Sequence, residues 1–261
     1  MKRIFKVFAA SILIFSMFSS SIVHAQEPEP IKVDVLTYLV LKAVADQLGS
    51  LESIADINDL NISIVLNTVP SIAGRPTGGP TTLDVLLAAI EGETNAWAHY
   101  MVYAEVAENE GFPEIARVFR ATGNAELQHA DDQWEIAQTL GATVRPQAGA
   151  VTSGTTAENL QSGIDGETYE FAIMYPDFYH QAIVDGNVSA RRIFNFALRA
   201  EAVHSVNYQR LLDVLNGDGD FSAFEYVYRC PVCGDIQFER PENCVICRTP
   251  GAQYISYNEE D

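Results

Sequence analysis

Two Glu-x-x-His pairs constrain the fold of this chain more than any other feature of its sequence. They are Glu126-Leu-Gln-His129 and Glu201-Ala-Val-His204. On a helix, residues three positions apart lie on the same face, so each pair can direct a carboxylate and an imidazole at one metal ion. Two such pairs, with one inward glutamate from each of two further helices, form a carboxylate-bridged two-metal site inside a four-helix bundle.

The two further glutamates stand at matching distances before these pairs. Glu93 precedes Glu126 by 33 residues, and Glu167 precedes Glu201 by 34. Both Glu93 and Glu167 are the central residue of a Gly-Glu-Thr tripeptide, which indicates an internal duplication of a helical hairpin. We therefore expect two hairpins that close into a four-helix bundle with a quasi-twofold core.

The duplication is broken at one position that bears on the metal site. Ala96 of the first half corresponds to Glu170 of the second. Glu167 and Glu170 are three residues apart, so both can lie on one helix face, and Glu170 offers a seventh ligand. A solvated helix face with a chance histidine would explain one Glu-x-x-His pair. It does not explain two pairs in register within a duplicated hairpin.

All four cysteines lie in two CxxC pairs near the C-terminus. The pairs are Cys230-Pro-Val-Cys233 and Cys244-Val-Ile-Cys247, with ten residues between Cys233 and Cys244. They favour a tetrahedral site of four thiolates, because so short a segment needs a metal to hold it together. Two disulfides are the alternative in an exported protein. Iron and zinc both accept four thiolates, and only iron would give a redox site.

The N-terminus predicts export. Three basic residues precede an apolar stretch, and Val23-His24-Ala25 fits the small-x-small rule for signal cleavage. We therefore expect residues 1–25 to be a signal peptide. The mature protein would then lie in the periplasm or another extracytoplasmic compartment, with no membrane association after cleavage. An uncleaved membrane anchor is the alternative reading of the same segment.

The charge of the chain argues against some partners. The formal net charge is -19, and it becomes -22 when the three basic residues of the predicted signal are removed. Such an acidic surface would repel phosphate groups, so nucleic acid and anionic membranes are not expected as partners. Some of the acidic residues should instead be metal ligands inside the bundle.

Composition and turn residues divide the remaining chain into three parts. Residues 26–80 carry no chemical motif and form an extension of unknown role, partly helical, with one helix expected over 33–48 and a strand or helix at 62–66. Residues 81–217 are the predicted bundle. Residues 222–261 hold the cysteines.

Caps and turns delimit the four expected helices of the bundle. Thr81 and Asp84 suit the start of the first helix, and Gly111 and Pro113 suit the turn to the second. Pro176 lies inside the third helix and predicts a kink there. The expected helices end near residues 109, 140, 185 and 215.

Taken together and in this order, the motifs resemble those of the rubrerythrin family. They are the Gly-Glu-Thr tripeptides, the Glu-x-x-His pairs, Met174-Tyr-Pro176 and the cysteine pairs, within about residues 82–258. The resemblance implies a mainly α fold, in which a ferritin-like four-helix bundle with a di-iron site is followed by a small rubredoxin-like domain with one iron on four cysteines. It also implies reduction of hydrogen peroxide to water, in protection against oxidative stress, with electrons passed from the cysteine site to the di-iron site.

The resemblance further implies how seven bundle ligands are shared between two irons. Glu126 and Glu201 would bridge them. One iron would add Glu93 and, according to its redox state, either His129 or Glu170. The second iron would add the remaining two ligands, Glu167 and His204.

Two tyrosines and the assembly follow from the same resemblance. Tyr100 and Tyr175 match family tyrosines beside the di-iron site, although plain core packing would also explain them. Family members pair head to tail as homodimers, which would bring the cysteine site of one subunit near the di-iron site of another. The external electron donor is not indicated.

The chain departs from the family pattern in three ways, and two other functions stay open. It has an export signal, the extra segment 26–80 and a slightly shorter spacing between its cysteine pairs. The other functions are a ferroxidase or iron-sequestering bundle, and a non-enzymatic module with zinc in both sites. Glu170 favours the peroxidase, because a storage bundle does not need a seventh, switchable ligand.

Overall fold

The computed structural model describes two stretches with their side chains, residues 79–217 and 220–258. It also describes the backbone of residues 31–33 and 62–64. The predicted signal peptide and most of the N-terminal extension lie outside the described residues. Among the helices that are described, none combines the length and the apolar character needed to cross a bilayer.

The N-terminal compact unit, residues 1–66, contains two described strands. β1 is Ile31–Val33 and β2 is Ile62–Ile64, and the two pair in parallel. The expected start of a helix at Val33 is therefore wrong, because β-branched residues here adopt the extended backbone that they favour. The rest of the helix expected over 33–48 lies outside the described residues.

The second compact unit begins with four rods made from two helical hairpins, which confirms the predicted mainly α fold. The third rod is continuous but changes its helical type in the middle. The elements are α1 (Thr82–Glu110), α2 (Pro113–Thr139), α3 (Thr156–Tyr169), a π-helical turn (Glu170–Met174), α4 (Tyr175–Val184) and α5 (Val188–Asn216).

Local signals in the sequence set where the rods begin and end. The Thr81 side chain accepts a hydrogen bond from the Asp84 backbone, and the Asp84 carboxylate accepts one from the Thr81 N–H at 2.7 Å. Thr155 and Glu158 form the same reciprocal cap at the start of α3. Such caps satisfy backbone donors that have no partner within the helix. Gly111 ends α1 with φ of 88°, a left-handed conformation that glycine adopts without strain.

The third rod is irregular near Pro176, where the sequence predicts a kink. A π-helical turn ends at Met174, two residues before the proline, and the Tyr175 N–H donates to the Glu170 carbonyl five residues back. Pro176 has no N–H to donate to the carbonyl of Ala172, so a wider turn absorbs the break in the α-helical pattern. Isolated π turns inside helices occur frequently at functional sites, and Glu170 is the first residue of this one.

An aromatic cluster fills the bundle on one side of the glutamates. The Tyr208 ring lies 5.0 Å from that of Phe119 and 5.4 Å from that of Tyr100, measured between centroids. A Cβ at Gly163 would lie 2.8 Å from the Tyr208 ring, so this glycine lets α3 approach α5 closely. Buried aromatic pairs of this kind stabilise a core beyond the area that they bury.

A small domain follows the bundle. Its three short strands are β3 (Tyr228–Arg229), β4 (Ile236–Gln237) and β5 (Ile255–Ser256). They form an antiparallel sheet in the order β4-β3-β5, and two 3₁₀ turns complete the domain.

The small domain packs against the bundle of the same chain. Asn207 on α5 donates a hydrogen bond to the Ile236 carbonyl at 3.1 Å, and Arg199 on α5 donates to the Ile246 carbonyl at 3.3 Å. Because Asn207 is buried, this contact fixes the approach of the two parts and does not merely tether their surfaces.

Candidate metal centres

Six of the seven predicted bundle ligands face one another in the interior of the bundle. Their donor atoms form two sets of four, and within each set all atoms lie within 4.8 Å of one another. Glu126 and Glu201 belong to both sets, so the geometry places them between two metal positions. The sets are Glu93, Glu126, His129 and Glu201, and Glu126, Glu167, Glu201 and His204.

The two histidines occupy equivalent places with respect to the shared glutamates. His129 Nδ1 lies 3.1 Å from Glu126 Oε2 and 3.0 Å from Glu201 Oε1. His204 Nδ1 lies 2.8 Å from Glu201 Oε2 and 3.1 Å from Glu126 Oε1. The i, i+3 spacing on α2 and on α5 produces this symmetry, as the duplication predicts.

The second ring nitrogen of each histidine is held by the cysteine-bearing loop. His129 Nε2 donates to the Cys233 carbonyl and His204 Nε2 to the Gly234 carbonyl, both at 3.0 Å. A carbonyl only accepts, so the proton of each neutral imidazole lies on Nε2. The lone pair of Nδ1 then points to the carboxylates, which is the tautomer that a metal ligand requires.

Several buried carboxylate oxygens lack hydrogen-bond partners among the described residues. They include one oxygen each of Glu93, Glu126 and Glu167, and both oxygens of Glu201. A buried carboxylate without a partner is strongly unfavourable, so a cluster of them in a native fold needs cations. Two divalent metals would satisfy these oxygens, and carboxylates with imidazoles suit iron. The residues present therefore fit a pair of irons.

Without metal ions, bound protons would balance much of the negative charge of the buried carboxylates. Burial and the nearby Glu126 raise the pKa of Glu167 to about 8. Burial would also raise the pKa of Glu126, but His204 and His129 outweigh it and lower this pKa to about 2. Burial alone would lower the pKa of His204, but the carboxylates around it raise it well above 6.5. Metal binding would therefore release protons from the cluster.

Glu170, the seventh predicted ligand, is buried but lies outside both sets of donor atoms. It lies beside α1, since a Cβ at Gly92 would be 3.8 Å from Glu170 Oε1, and after burial its carboxylate is the largest cause of the raised pKa of Glu93. Of the two alternatives that the resemblance implies for one iron, His129 is therefore the residue in place here. Whether Glu170 replaces His129 stays a prediction.

Both predicted tyrosines contact ligand groups, one directly and one through a residue that the sequence did not indicate. The Tyr100 hydroxyl donates to Glu167 Oε1 at 2.6 Å. Gln133 Nε2 donates to the Tyr175 hydroxyl at 2.7 Å and lies 3.4 Å from Glu93 Oε1. Gln133 is one turn beyond His129 on the same face of α2, and this spacing is the only signal that could have identified it.

The four cysteines that are predicted to bind a metal lie close together in the small domain. The Cys230 and Cys247 sulfurs lie 3.5 Å apart, and those of Cys233 and Cys244 lie 3.4 Å apart. A disulfide bond is about 2.05 Å long, so these pairs are not disulfides. Metal–sulfur bonds of about 2.3 Å in a tetrahedron would separate the sulfurs by about 3.8 Å, close to the arrangement seen.

A buried carboxylate beside the cysteines is a second residue that sequence reasoning missed. Asp235 accepts hydrogen bonds from the Tyr254 hydroxyl and from Gln237 Nε2, each at 2.8 Å. Its Oδ2 lies 3.8 Å from the Cys244 sulfur, and burial raises its pKa. Aspartate directly after a CxxCG sequence carries no metal-ligand signal of its own, because the four thiolates already complete the tetrahedron.

Gly234 allows the cysteine loop to reach the bundle. Its φ is 77°, in the left-handed region that favours glycine, and a Cβ there would lie 2.5 Å from His129 Nε2. No other residue would permit the same approach without displacement. The cysteine site and the bundle ligands are thus neighbours within one chain, whereas the predicted head-to-tail dimer would bring them together between subunits. The dimer stays a prediction.

Comparisons with known proteins bear on the same two sites. A family model described as rubrerythrin matches residues 84–212. Nigerythrin of Nitratidesulfovibrio vulgaris is 35% identical over 188 residues, which are 71% of this chain and 91% of the relative. The chain belongs to the rubrerythrin family. A rubrerythrin of Porphyromonas gingivalis is 32% identical over 181 residues, which cover 67% of this chain and 90% of the relative.

A solved structure agrees with this membership. The structure described as the fully reduced, all-ferrous state of nigerythrin has a TM-score of 0.64 and 34% identity, over 71% of this chain and 91% of that one. The rubrerythrin match spans all seven predicted bundle ligands. The bundle cluster is therefore the donor set of a carboxylate-bridged di-iron site, and the four cysteines form a rubredoxin-like metal site. The individual roles of the ligands stay predictions.

Proposed function

We propose that this protein reduces hydrogen peroxide to water at the bundle site, with electrons from iron on the four cysteines. The observation that carries the proposal is the pair of hydrogen bonds from His129 to the Cys233 carbonyl and from His204 to the Gly234 carbonyl. Each joins a predicted ligand of the bundle metals to the loop that carries two of the thiolates. An isolated iron store would not need such a junction.

The reaction consumes two electrons and two protons for each O–O bond that is broken. When bound, two ferrous ions side by side supply both electrons at once. Electrons from a donor outside the chain would enter at the cysteines and cross the junction one at a time. A family of di-iron oxidoreductases is the context for this proposal, and the peroxidase activity itself is the part that needs testing.

The chain's own residues bind the metals, exclude water and hold protons. Glu126 and Glu201 lie between the metal positions, and burial of all six donor groups keeps bulk water out. The Tyr100 hydroxyl holds its proton against Glu167 Oε1, where it can compensate a change of charge at this carboxylate. Glu170 lies beside Glu93, and we expect its carboxylate to replace His129 when the redox state of the metal changes.

The first experiment is an anaerobic titration of the fully reduced, iron-loaded protein with hydrogen peroxide. We expect one peroxide to oxidise the two bundle irons, with water and no dioxygen as product. A ferroxidase would instead oxidise added ferrous iron with dioxygen and turn over little peroxide. A zinc-loaded module would show neither reaction, and metal analysis would identify it directly.

A control isolates the role of the cysteine site. Protein with zinc on the four cysteines and iron in the bundle should react once with peroxide and then stop, because zinc has no redox chemistry. Equal turnover by the zinc-substituted and the all-iron protein, with the same external reductant, would contradict the proposed route of electrons.

We further propose that the protein is exported and acts outside the cytoplasm, on the evidence of residues 1–25. Mass spectrometry of the protein from a periplasmic fraction should find a mature chain that starts at Gln26. A chain that retains Met1 and sediments with membranes would support the alternative of an uncleaved anchor.

A further inference from the structure

A small cavity opens beside one of the two metal positions. It is lined by the exposed Val232, by three half-buried residues and by three buried ones, and we name it the His129 cavity; the half-buried residues are Asp132, Ile193 and Phe196, and the buried residues are Ala197, Gln133 and His129. Its volume is about 10 Å³, room for roughly one molecule of the size of water. Its inner end reaches His129 and Gln133, which both contact ligands of the Glu93 metal position.

The duplicated hairpin provides an internal comparison for this cavity. Residues of α2 and α5 correspond at a separation of 75, the separation of Glu126 and Glu201. The counterparts of the cavity residues on the His204 side are buried. Val118, Ala121, Thr122 and Tyr208 have at most 1% of their surface exposed, and Asn207, the counterpart of Asp132, has 5%. There the large Tyr208 ring stands where Gln133 stands in the other half. One metal position is thus sealed by core packing, and the other has an opening.

Gln133 brings an unused hydrogen-bond acceptor to this opening. Its amide nitrogen faces the Tyr175 hydroxyl and Glu93 Oε1. An amide oxygen in that place would be repelled by the Glu93 carboxylate, because both groups only accept hydrogen bonds. The Oε1 atom therefore lies on the other side of the amide, and it has no hydrogen-bond partner among the described residues. Gln133 is 1% exposed, so this oxygen cannot be satisfied by bulk water.

We propose that the His129 cavity is the passage by which a small hydroxylic molecule reaches the Glu93 metal position, and that Gln133 Oε1 accepts a hydrogen bond from it. Only the identity of that molecule, hydrogen peroxide, rests on the proposed function. Room for roughly one molecule of the size of water favours hydrogen peroxide over a bulky aryl hydroperoxide. The duplication also makes the access one-sided, so the metal position at His204 is not reached directly.

The passage is tested with azide, a small anion whose binding to the oxidised iron protein is followed by its charge-transfer absorption. Ala197→Leu fills the passage, and we expect it to slow azide binding and the reaction with peroxide by at least about tenfold. Ala197→Ser keeps the volume and should slow neither. Azide binding by Ala197→Leu at the wild-type rate, with wild-type iron content, would overturn the proposal. A wild type without peroxide turnover would overturn the proposed function and leave the azide test intact.

The role of Gln133 is tested by the difference between the two probes. Hydrogen peroxide can donate a hydrogen bond and azide cannot. Gln133→Leu should therefore slow the peroxide reaction about tenfold and leave azide binding within about twofold of wild type. Tyr208→Phe, the corresponding change in the sealed half, should alter neither rate. Equal slowing of both probes by Gln133→Leu would show that the residue has only a packing role.

A variant that widens the passage provides a second test, which holds even if Ala197→Leu does not fold. Ile193→Ala removes bulk from the wall of the passage at a residue that is not itself a predicted ligand. It should raise the rate of bundle oxidation by cumene hydroperoxide about tenfold and change the rate with hydrogen peroxide by less than about twofold. An unchanged rate with the bulky hydroperoxide would contradict access through the His129 cavity.

Discussion

The two hairpins of the bundle supply the same metal ligands and surround them differently. Each gives two glutamates and a histidine in matching positions. The second hairpin carries Glu170 and a π-helical turn where the first has Ala96 in a regular helix. The first has Gln133 beside an opening where the second has Tyr208 in a closed core. The shared features place the metals, and the departures decide what can reach each of them.

This comparison separates structural from functional constraint within one chain. A substitution at a position that is equivalent in the two hairpins should affect metal binding in both halves equally. Positions that break it should affect reactivity more than metal content. The loop around Gly234 contacts both histidines, so it should connect the two halves to the cysteine site together.

The largest expected effect comes from the shared glutamates. Glu126→Ala and Glu201→Ala each remove a ligand from both donor sets, so each should reduce the bundle from about two irons per chain to nearly none. Metal analysis measures this loss, and the absorption of iron on the four cysteines is the internal control. Full bundle iron in either variant would contradict the position of that glutamate in both donor sets.

The next effect is expected at Gly234. Gly234→Ala forces a residue with a Cβ into a left-handed backbone and against His129, which should lower the free energy of unfolding by about 1–3 kcal/mol. It should also slow electron transfer from the cysteine site to the bundle by more than about tenfold, because the junction is displaced. Denaturant unfolding and single-turnover kinetics measure the two effects. Unchanged kinetics would show that the junction does not carry electrons.

Glu170 tests the break in the duplication. Glu170→Ala should lower peroxide turnover by about tenfold or more and leave the bundle iron content near wild type, because six donor groups remain. Glu91→Ala, which removes an exposed glutamate from α1, should change neither quantity. Wild-type turnover by Glu170→Ala would count against a ligand exchange with His129.

The free energy of unfolding of the metal-free protein should depend on pH through glutamates of both hairpins. The folded pKa of Glu167, about 8, exceeds the ordinary 4.5, so the stability linked to its protonated form is lost as pH rises from 4.5 to 8. The folded pKa of Glu126, about 2, is depressed, so its contribution is lost as pH falls from 4.5 to 2. Each group changes the free energy of unfolding by about 1.4 kcal/mol per pH unit within its range.

The measurement is urea unfolding of the metal-free protein at pH 5 and at pH 7.5. We expect lower stability at pH 7.5, since the raised pKa of the histidines acts in the same direction as that of Glu167. Iron should stabilise more at pH 7.5 than at pH 5, because fewer protons compete with it. A metal-free protein that is more stable at pH 7.5 would contradict the electrostatics of the cluster.

Much of the bundle and its ligands could be predicted from the sequence, because both depend on spacing along single helices. The i, i+3 pairs and the Gly-Glu-Thr repeat place Glu93 and Glu126 on facing rods without any long-range information. The caps at Thr81 and Gly111 are likewise local. Pro176 signalled an irregularity in the third rod, but the π-helical turn depends on the packing around it.

The remaining features depend on contacts between parts that are distant in sequence. Gln133 is no usual iron ligand, and its role appears only when the Tyr175 hydroxyl and Glu93 lie beside it. The junction with the cysteine site uses the backbone carbonyls of Cys233 and Gly234, and a sequence pattern carries no information about carbonyl direction. The cavity depends on which of two equivalent positions is filled by a large ring.

The most direct test of the account is a single-turnover experiment on the reduced, all-iron protein mixed rapidly with one equivalent of hydrogen peroxide. The bundle irons should oxidise first, and the iron on the four cysteines should oxidise afterwards, at a rate independent of protein concentration because the junction lies within one chain. A cysteine-bound iron that stays reduced after the bundle has oxidised, or that oxidises first, would contradict the account.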